Sequence, residues 1–254
     1  MKKMACTAIA AALVAAAAAD GAFVGISLGR SQASAKIKND TNTFSSSAGL
    51  VTNEGRWDVN QTTGESFWIN TSYAAQLKTQ LDFLQSSDSH DTKADLAYGI
   101  LAGYRWFLGE NFAVRGYGEL DYQPTKLKGN IPGSNKLNTM ILIAGADVLG
   151  YFNRSESAQF GVFAGVGVAY HRYDLKLDFL DKSDFDSFGF MANLGLHADV
   201  AEHHGIELGA RFFTNEAKGN STIFQNANNS ASFSKYDVAI KQKPTFFLRY
   251  IYQF

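Results

Sequence analysis

The sequence predicts an all-β fold: a transmembrane antiparallel up-and-down β-barrel of eight strands, with long connections at one end and short turns at the other. Three observations carry that prediction. Apolar residues recur at every second position in segment after segment, the opposite faces collect glycine, alanine and charged residues, and aromatic residues gather at the two ends of the apolar face.

Eight alternating segments lie near residues 22–30, 95–108, 112–123, 137–151, 158–172, 186–200, 205–214 and 243–254. In "DLAYGILAGYRWFL", Leu96, Tyr98, Ile100, Ala102, Tyr104, Trp106 and Leu108 share a face against Gly99, Gly103 and Arg105. In "AQFGVFAGVGVAY", Phe160, Val162, Ala164, Val166, Val168 and Tyr170 oppose Gly161, Gly165 and Gly167. In "DSFGFMANLGLHADV", Phe188 to Val200 repeats the pattern against Asn193, Gly195, His197 and Asp199. The third segment is the least regular, since it puts Gly116 and Gly118 on its apolar face.

A soluble barrel turns such a face inward and a membrane barrel turns it out to lipid. Phe160 to Tyr170 covers about 33 Å of strand, which a tilt near 40° converts to roughly 25 Å of height, the thickness of an apolar belt. Connections alternate between brief turns at "GEN", "NRSES" and "EHH" and long stretches at Ser31–Ala94, Pro124–Lys136, Tyr173–Phe185 and Asn215–Gln242. Both features favour the membrane orientation, and an even strand number puts both ends of the barrel chain on the side of the short turns.

The first nineteen residues, "MKKMACTAIAAALVAAAAA", join two lysines to an apolar run and a small-residue finish, the pattern of a secretory signal peptide (1–19) cleaved before Asp20. The barrel domain is then 20–254, with residues 31–94 and 215–242 as long extracellular loops. Cys6, within the leader, is the only cysteine, so the exported chain has no disulfide and no thiolate metal ligand. Removing Lys2 and Lys3 leaves 21 basic against 24 acidic residues, a formal charge of −3 that argues against nucleic acid as a partner.

The segment "KPTFFLRYIYQF" places Phe246, Leu248, Tyr250, Tyr252 and Phe254 on one face. It reads as the closing strand, pairing with "GAFVGISLG" so that no sheet edge meets hydrocarbon. Its aromatic alternation ending in phenylalanine resembles the assembly signal of Gram-negative barrels. That resemblance implies the outer-membrane assembly machinery as a partner, alongside outer-membrane lipid.

The inner faces supply Arg105, Arg115, Arg211 and Arg249 against Glu119, Asp121, Asp147, Asp199 and Glu207, with His197 nearby. Near-balance of sign predicts a paired interior network, because an unpaired buried charge is costly. Eight strands enclose a lumen that side chains fill, so a plugged barrel is the expectation and a narrow channel the alternative.

In the first loop, "GRWDVNQTTGESFWINTSY" predicts a hairpin in which Trp57 and Val59 pair with Phe67 and Ile69. Beyond it, Tyr73, Leu77, Leu81 and Leu84 recur at helical spacing behind Thr71 or Ser72 as cap. This loop holds 23 Ser, Thr or Asn in 64 residues, and the last loop is similar. Such composition predicts solvated, mobile segments without a core of their own. Exposed loops on a rigid scaffold are where binding tends to reside. No nucleophile can be placed beside His171 or His197 by spacing, so no catalysis and no cofactor are expected. The acidic run Asp174, Asp178, Asp181, Asp184 and Asp186 lacks the spacing and glycine of a calcium loop.

Read together, "DGAFVGISLG", "AYGILAGYRWFLGENFAVRGYGELDY", "LNTMILIAGADVLGYF", "HHGIELGARFF" and "FFLRYIYQF" resemble the recurring blocks of the Helicobacter outer membrane protein family, in that family's order. The resemblance implies one N-terminal strand, a surface insertion and seven C-terminal strands in the outer membrane of a Gram-negative bacterium. It further implies loops on the cell surface, with adhesion to a host-surface ligand or a narrow porin as the function. The insertion here is short and lacks the cysteines of the large adhesin members.

Overall fold

Side chains leave a strand alternately to its two faces, and in the computed structural model this alternation closes eight strands into one barrel. The structure describes residues 21–39, 56–59, 66–69, 89–128, 135–154, 158–177, 184–201, 203–227 and 230–254. In chain order the strands are β1 (Ala22–Ser31), β2 (Ala33–Asn39), β3 (Arg56–Val59), β4 (Ser66–Ile69), β5 (Ser89–Asp91), β6 (Asp95–Phe107) and β7 (Phe112–Lys126). Then follow β8 (Asn135–Arg154), β9 (Ala158–Leu177), β10 (Asp184–Val200), β11 (His204–Phe213), β12 (Glu216–Ala227), β13 (Ser230–Gln242) and β14 (Thr245–Gln253).

Around the barrel the order is β1-β14-β11-β10-β9-β8-β7-β6, returning to β1. The first and last strands seal it, with Phe23 opposite Gln253 and Arg30 opposite Phe246. Phe254 N–H donates to the Ala22 carbonyl (2.9 Å) and Gln253 N–H to the His203 carbonyl (2.8 Å), so the end of the closing strand is tied to both neighbours. Closure leaves every barrel strand laddered on both sides, which is what hydrocarbon demands of a backbone.

The orientation is decided by accessibility: Val166 is 68% exposed and Leu248 49%, whereas Arg115, Glu207 and Arg249 are 0% exposed. The apolar side chains line the outer wall and the charges line the lumen. Gly116 also faces outward. Trp106 on β6 brings its ring to 3.7 Å from where a Gly116 Cβ would stand and covers the gap.

Three expectations change. First, β7, β8, β9 and β10 run further than the alternation suggested, so Pro124 to Lys126, Asn135, Lys136, Tyr173 to Leu177, Asp184 and Phe185 are strand, where loop was expected. Second, parts of the two Ser/Thr/Asn-rich stretches are strands with a shared core. β12, β13, β2 and β5 form a four-stranded sheet in that order. Each member continues a barrel strand (β11, β14, β1 and β6), so the sheet is the upward extension of that wall. Its Ala33, Ala35, Ile37, Ala217, Val238 and Ile240 bury against Leu127, just past the end of β7, and against Leu137, Tyr173, Leu175 and Phe185 of the long strands. Composition failed here because the apolar partners lie far away in sequence. Third, the β3–β4 hairpin exists, but Trp57 pairs with Trp68 and Asp58 with Phe67, one position from the expected register. The leader and the helix expected near Tyr73 to Leu84 lie outside the described residues.

Candidate functional site

Two regions could carry function: the charged lumen and the upper sheet. In the lumen, the inward positions of six strands converge on one ion-pair network. Arg105 (β6) meets Asp199 (β10) at 2.8 Å, and His197, two residues before it, bridges Asp199 at 2.9 Å and Glu207 (β11) at 2.8 Å. Glu207 also pairs with Arg115 (β7), whose guanidinium reaches Asp147 (β8) at 2.6 Å. Arg249 (β14) lies 3.5 Å from Glu207 and pairs with Glu119 (β7). Glu119 in turn pairs with Arg211 (β11), which holds Asp121 (β7) at 2.6 Å.

All eight lumen residues singled out from the sequence, together with His197 and Asp199, therefore belong to a single connected set. Aromatic rings that sequence reasoning did not assign to the lumen complete it. The Arg249 guanidinium stacks 4.2 Å over Phe247, Arg211 lies 5.2 Å from the same ring, and Arg115 lies 5.2 Å over Phe163. Such contacts stabilise a desolvated guanidinium. Tyr117 accepts from Asn193 at 2.8 Å, and Tyr151 receives Arg105 at 3.3 Å. The inward parity of Phe163, Tyr117 and Phe247 was the available signal.

Glycines make room for this filling. A Cβ at Gly209 would come within 2.6 Å of Phe247 and 3.0 Å of Phe163, and one at Gly145 within 2.7 Å of Tyr117. What the arrangement can do chemically is hold charge in fixed pairs across a closed section. It presents no nucleophile oriented by a base.

Above the network a polar layer marks the break between barrel and upper sheet. Ser31 donates to Gln123 (2.7 Å), and Gln242 donates to Gln123 (2.9 Å) and to Ser31. Asn215 donates to Ser187 (2.8 Å) and reaches His171. Thr92 N–H donates to the Ala33 carbonyl (2.8 Å) and its hydroxyl accepts Ala33 N–H (2.9 Å). Lys243 binds Asp91 at 2.6 Å, which holds the Asp91 carboxyl below its ordinary value.

On the outer wall, Arg172 pairs with Asp184 (3.1 Å) and Lys176 with Asp174 (3.2 Å). The acidic run is therefore partly neutralised by bases of β9. Asp178 and Asp181 lie outside the described residues. In the closing strand, Phe246, Leu248, Tyr250 and Phe254 stand exposed on the outer wall. Tyr252 lies against Phe254 and His204.

No curated protein matches the chain. Among solved structures it is similar to the outer membrane protein OprG of Pseudomonas aeruginosa, at 16% identity and a TM-score of 0.45, covering 92% of this chain and 96% of that one. It is also similar to Neisserial surface protein A (13% identity, TM-score 0.36, 92% and 98% covered). The attachment invasion locus protein Ail of Yersinia pestis follows at 10% identity and a TM-score of 0.30, with 93% and 100% covered. The profile of the Helicobacter outer membrane protein matches residues 99–254, well over half of the chain and most of its barrel. The barrel is closed, eight-stranded and apolar on its outer wall, and the chain belongs to the Helicobacter outer membrane protein family.

Proposed function

We propose that this barrel is a rigid outer-membrane anchor that displays its upper sheet, and the segments joined to it, on the cell surface for contact with a host or environmental ligand. The observation that carries the reading is the division of labour along the axis. The lumen is filled by a network whose arginines are fully buried, while the upper sheet extends one wall of the barrel beyond the apolar belt. A filled lumen favours display over transport.

Deleting residues 40–88 removes the segment between β2 and β5 and spares both strands. The expected result is a heat-modifiable barrel in the outer membrane that has lost binding to host cells or matrix; undiminished binding rejects the proposal. The exposed aromatic alternation of β14 is read, on the same proposal, by the outer-membrane assembly machinery. Removing Phe254 should then strand the protein in the periplasm.

A further inference from the structure

The strand register places like charges side by side where a sheet ordinarily avoids them. On the outer wall, Lys126 of β7 lies directly opposite Lys136 of β8. Lys136 in turn lies opposite Lys176 of β9. Lys93, just before β6, completes the row, its N–H donating to the Lys126 carbonyl at 2.7 Å. Three lysines on adjacent strands, and a fourth on the segment leading into β6, thus stand at one height, all exposed. Lys128, two residues beyond Lys126, adds a fifth positive charge, which it shares with the nearby Asp91 carboxylate.

Directly opposed side chains have Cβ atoms about 5 Å apart, and like charges so placed destabilise a sheet. Relief is scarce among the described residues. Asp174 takes Lys176 at 3.2 Å, and no acidic side chain pairs with Lys93, Lys126 or Lys136. Three strand spacings make the row roughly 14 Å wide.

Its height identifies the partner. Tyr122, outward on β7, packs at a tilt against Tyr98 of β6, with ring centroids 5.5 Å apart. Such aromatics mark the boundary of the apolar belt. Lys126 is four residues further on, about 13 Å along the strand and roughly 10 Å above that boundary at a 40° tilt. A cation row at that level faces the headgroups of the leaflet around the barrel, where anionic groups are fixed at high density.

We propose that Lys93, Lys126, Lys136 and Lys176 form a binding face for the phosphorylated headgroup of an outer-leaflet glycolipid, lipopolysaccharide. The proposal rests on the reading above in which the upper sheet points out of the cell. A multiply phosphorylated headgroup supplies several anions along one face, and the repulsion built into the row becomes attraction when it is bound.

The experiment uses full-length protein purified from the outer membrane of a Gram-negative host, with Lys126→Gln, Lys136→Gln and Lys176→Gln combined. Purified lipopolysaccharide, its dephosphorylated form, heparin and inorganic phosphate are titrated against detergent-solubilised barrel. Each lysine is expected to contribute about fivefold, so the triple variant should bind lipopolysaccharide on the order of a hundredfold more weakly. Dephosphorylation should weaken binding to the parent comparably. In detergent alone the variant should unfold at a higher temperature than the parent, because repulsion is relieved, and this separates a lost ligand from a lost fold. A control variant, Lys36→Gln with Lys218→Gln and Lys241→Gln, should bind like the parent.

Equal lipopolysaccharide affinity in parent and triple variant overturns the proposal, as does tighter binding of heparin or inorganic phosphate than of lipopolysaccharide. Labelling of Lys218→Cys by a membrane-impermeant maleimide on intact cells tests the orientation separately. Absent labelling refutes the outward-facing sheet, whatever the titration gives.

Discussion

Arg115 and Glu207 meet across the lumen from β7 and β11, with Nη2 donating to Oε2 at 3.0 Å and Nη1 to Oε1, neither side chain exposed. The two residues are 92 apart in sequence. A two-pronged pair of this kind fixes geometry as well as charge. Glu207 also holds His197 and Arg249, so it is the most connected acid of the network.

Glu207→Gln is expected to leave Arg115 and Arg249 short of counter-charge in a closed interior. Breaking a buried pair by removing one partner costs about 3–5 kcal/mol. Urea unfolding in micelles, followed by the gel shift of the heat-modified form, measures it. Asp199→Asn, whose side chain is 18% exposed, should cost less; equal costs would contradict a network graded by burial.

Filling the glycine gaps is expected to disrupt the lumen. Gly209→Ala must displace Phe247, press on Phe163 and shift the Leu194 carbonyl, and overpacking of this kind costs about 1–3 kcal/mol. Gly118→Ala meets nothing nearer than 3.9 Å and should leave the unfolding midpoint unchanged. The pair of variants in one unfolding assay separates crowding from any general effect of the substitution.

The outer wall gives the opposite test. Val166, on the apolar face and 68% exposed, is expected to tolerate leucine and to reject arginine. Arginine at mid-depth on a lipid face costs about 2–4 kcal/mol. Folding into phospholipid vesicles, compared with folding in detergent, reads that difference directly.

Conductance is expected to be absent. With Arg115, Arg211 and Arg249 engaged in ion pairs and stacked on rings, a planar bilayer holding the protein should stay silent at neutral pH. Stable current steps that change size when Arg115 or Asp121 is neutralised would replace display with transport as the function.

Asp91 offers a pH test outside the membrane. Its carboxyl is held low mainly by the hydrogen bond from Lys243, so the pair stabilises the sheet where Asp91 is ionised. That contribution is present above the ordinary aspartate value of about 4 and is lost as pH falls through the depressed one. Both side chains are more than a third exposed, so it amounts to less than about 1 kcal/mol. Carboxyl NMR should find Asp91 titrating lower in the parent than in Lys243→Met; identical curves would remove the pair from the account.

The barrel is legible in the sequence because a strand with oil on one face must alternate, and seven of the eight segments meet that requirement alone, while 112–123, with Gly116 and Gly118 on its apolar face, meets it less regularly. Arg105, Arg115, Glu119, Asp121, Asp147, Glu207, Arg211 and Arg249 follow from parity within those segments, and the structure places them in the lumen. Which carboxylate takes which guanidinium depends on register between strands far apart, and no local pattern encodes it. The upper sheet was hidden for a related reason. Among the described side chains β2 contributes Ala33, Ala35 and Ile37 to its core, and the surfaces that bury them include Leu127, Leu137 and Tyr173.

The strands β7 to β10 rise without interruption, whereas the four on the other side are broken at one level, by Gln32, Thr92 to Ala94, Thr214 and Asn215, and Lys243 with Pro244. One flank of the cylinder is a continuous girder and the other is jointed. Any tilt of the top relative to the base must pivot on the girder and bend at the joints. The residues stitching those joints, among them Gln32, Thr92 and Gln242, then set how stiffly the upper tier is carried.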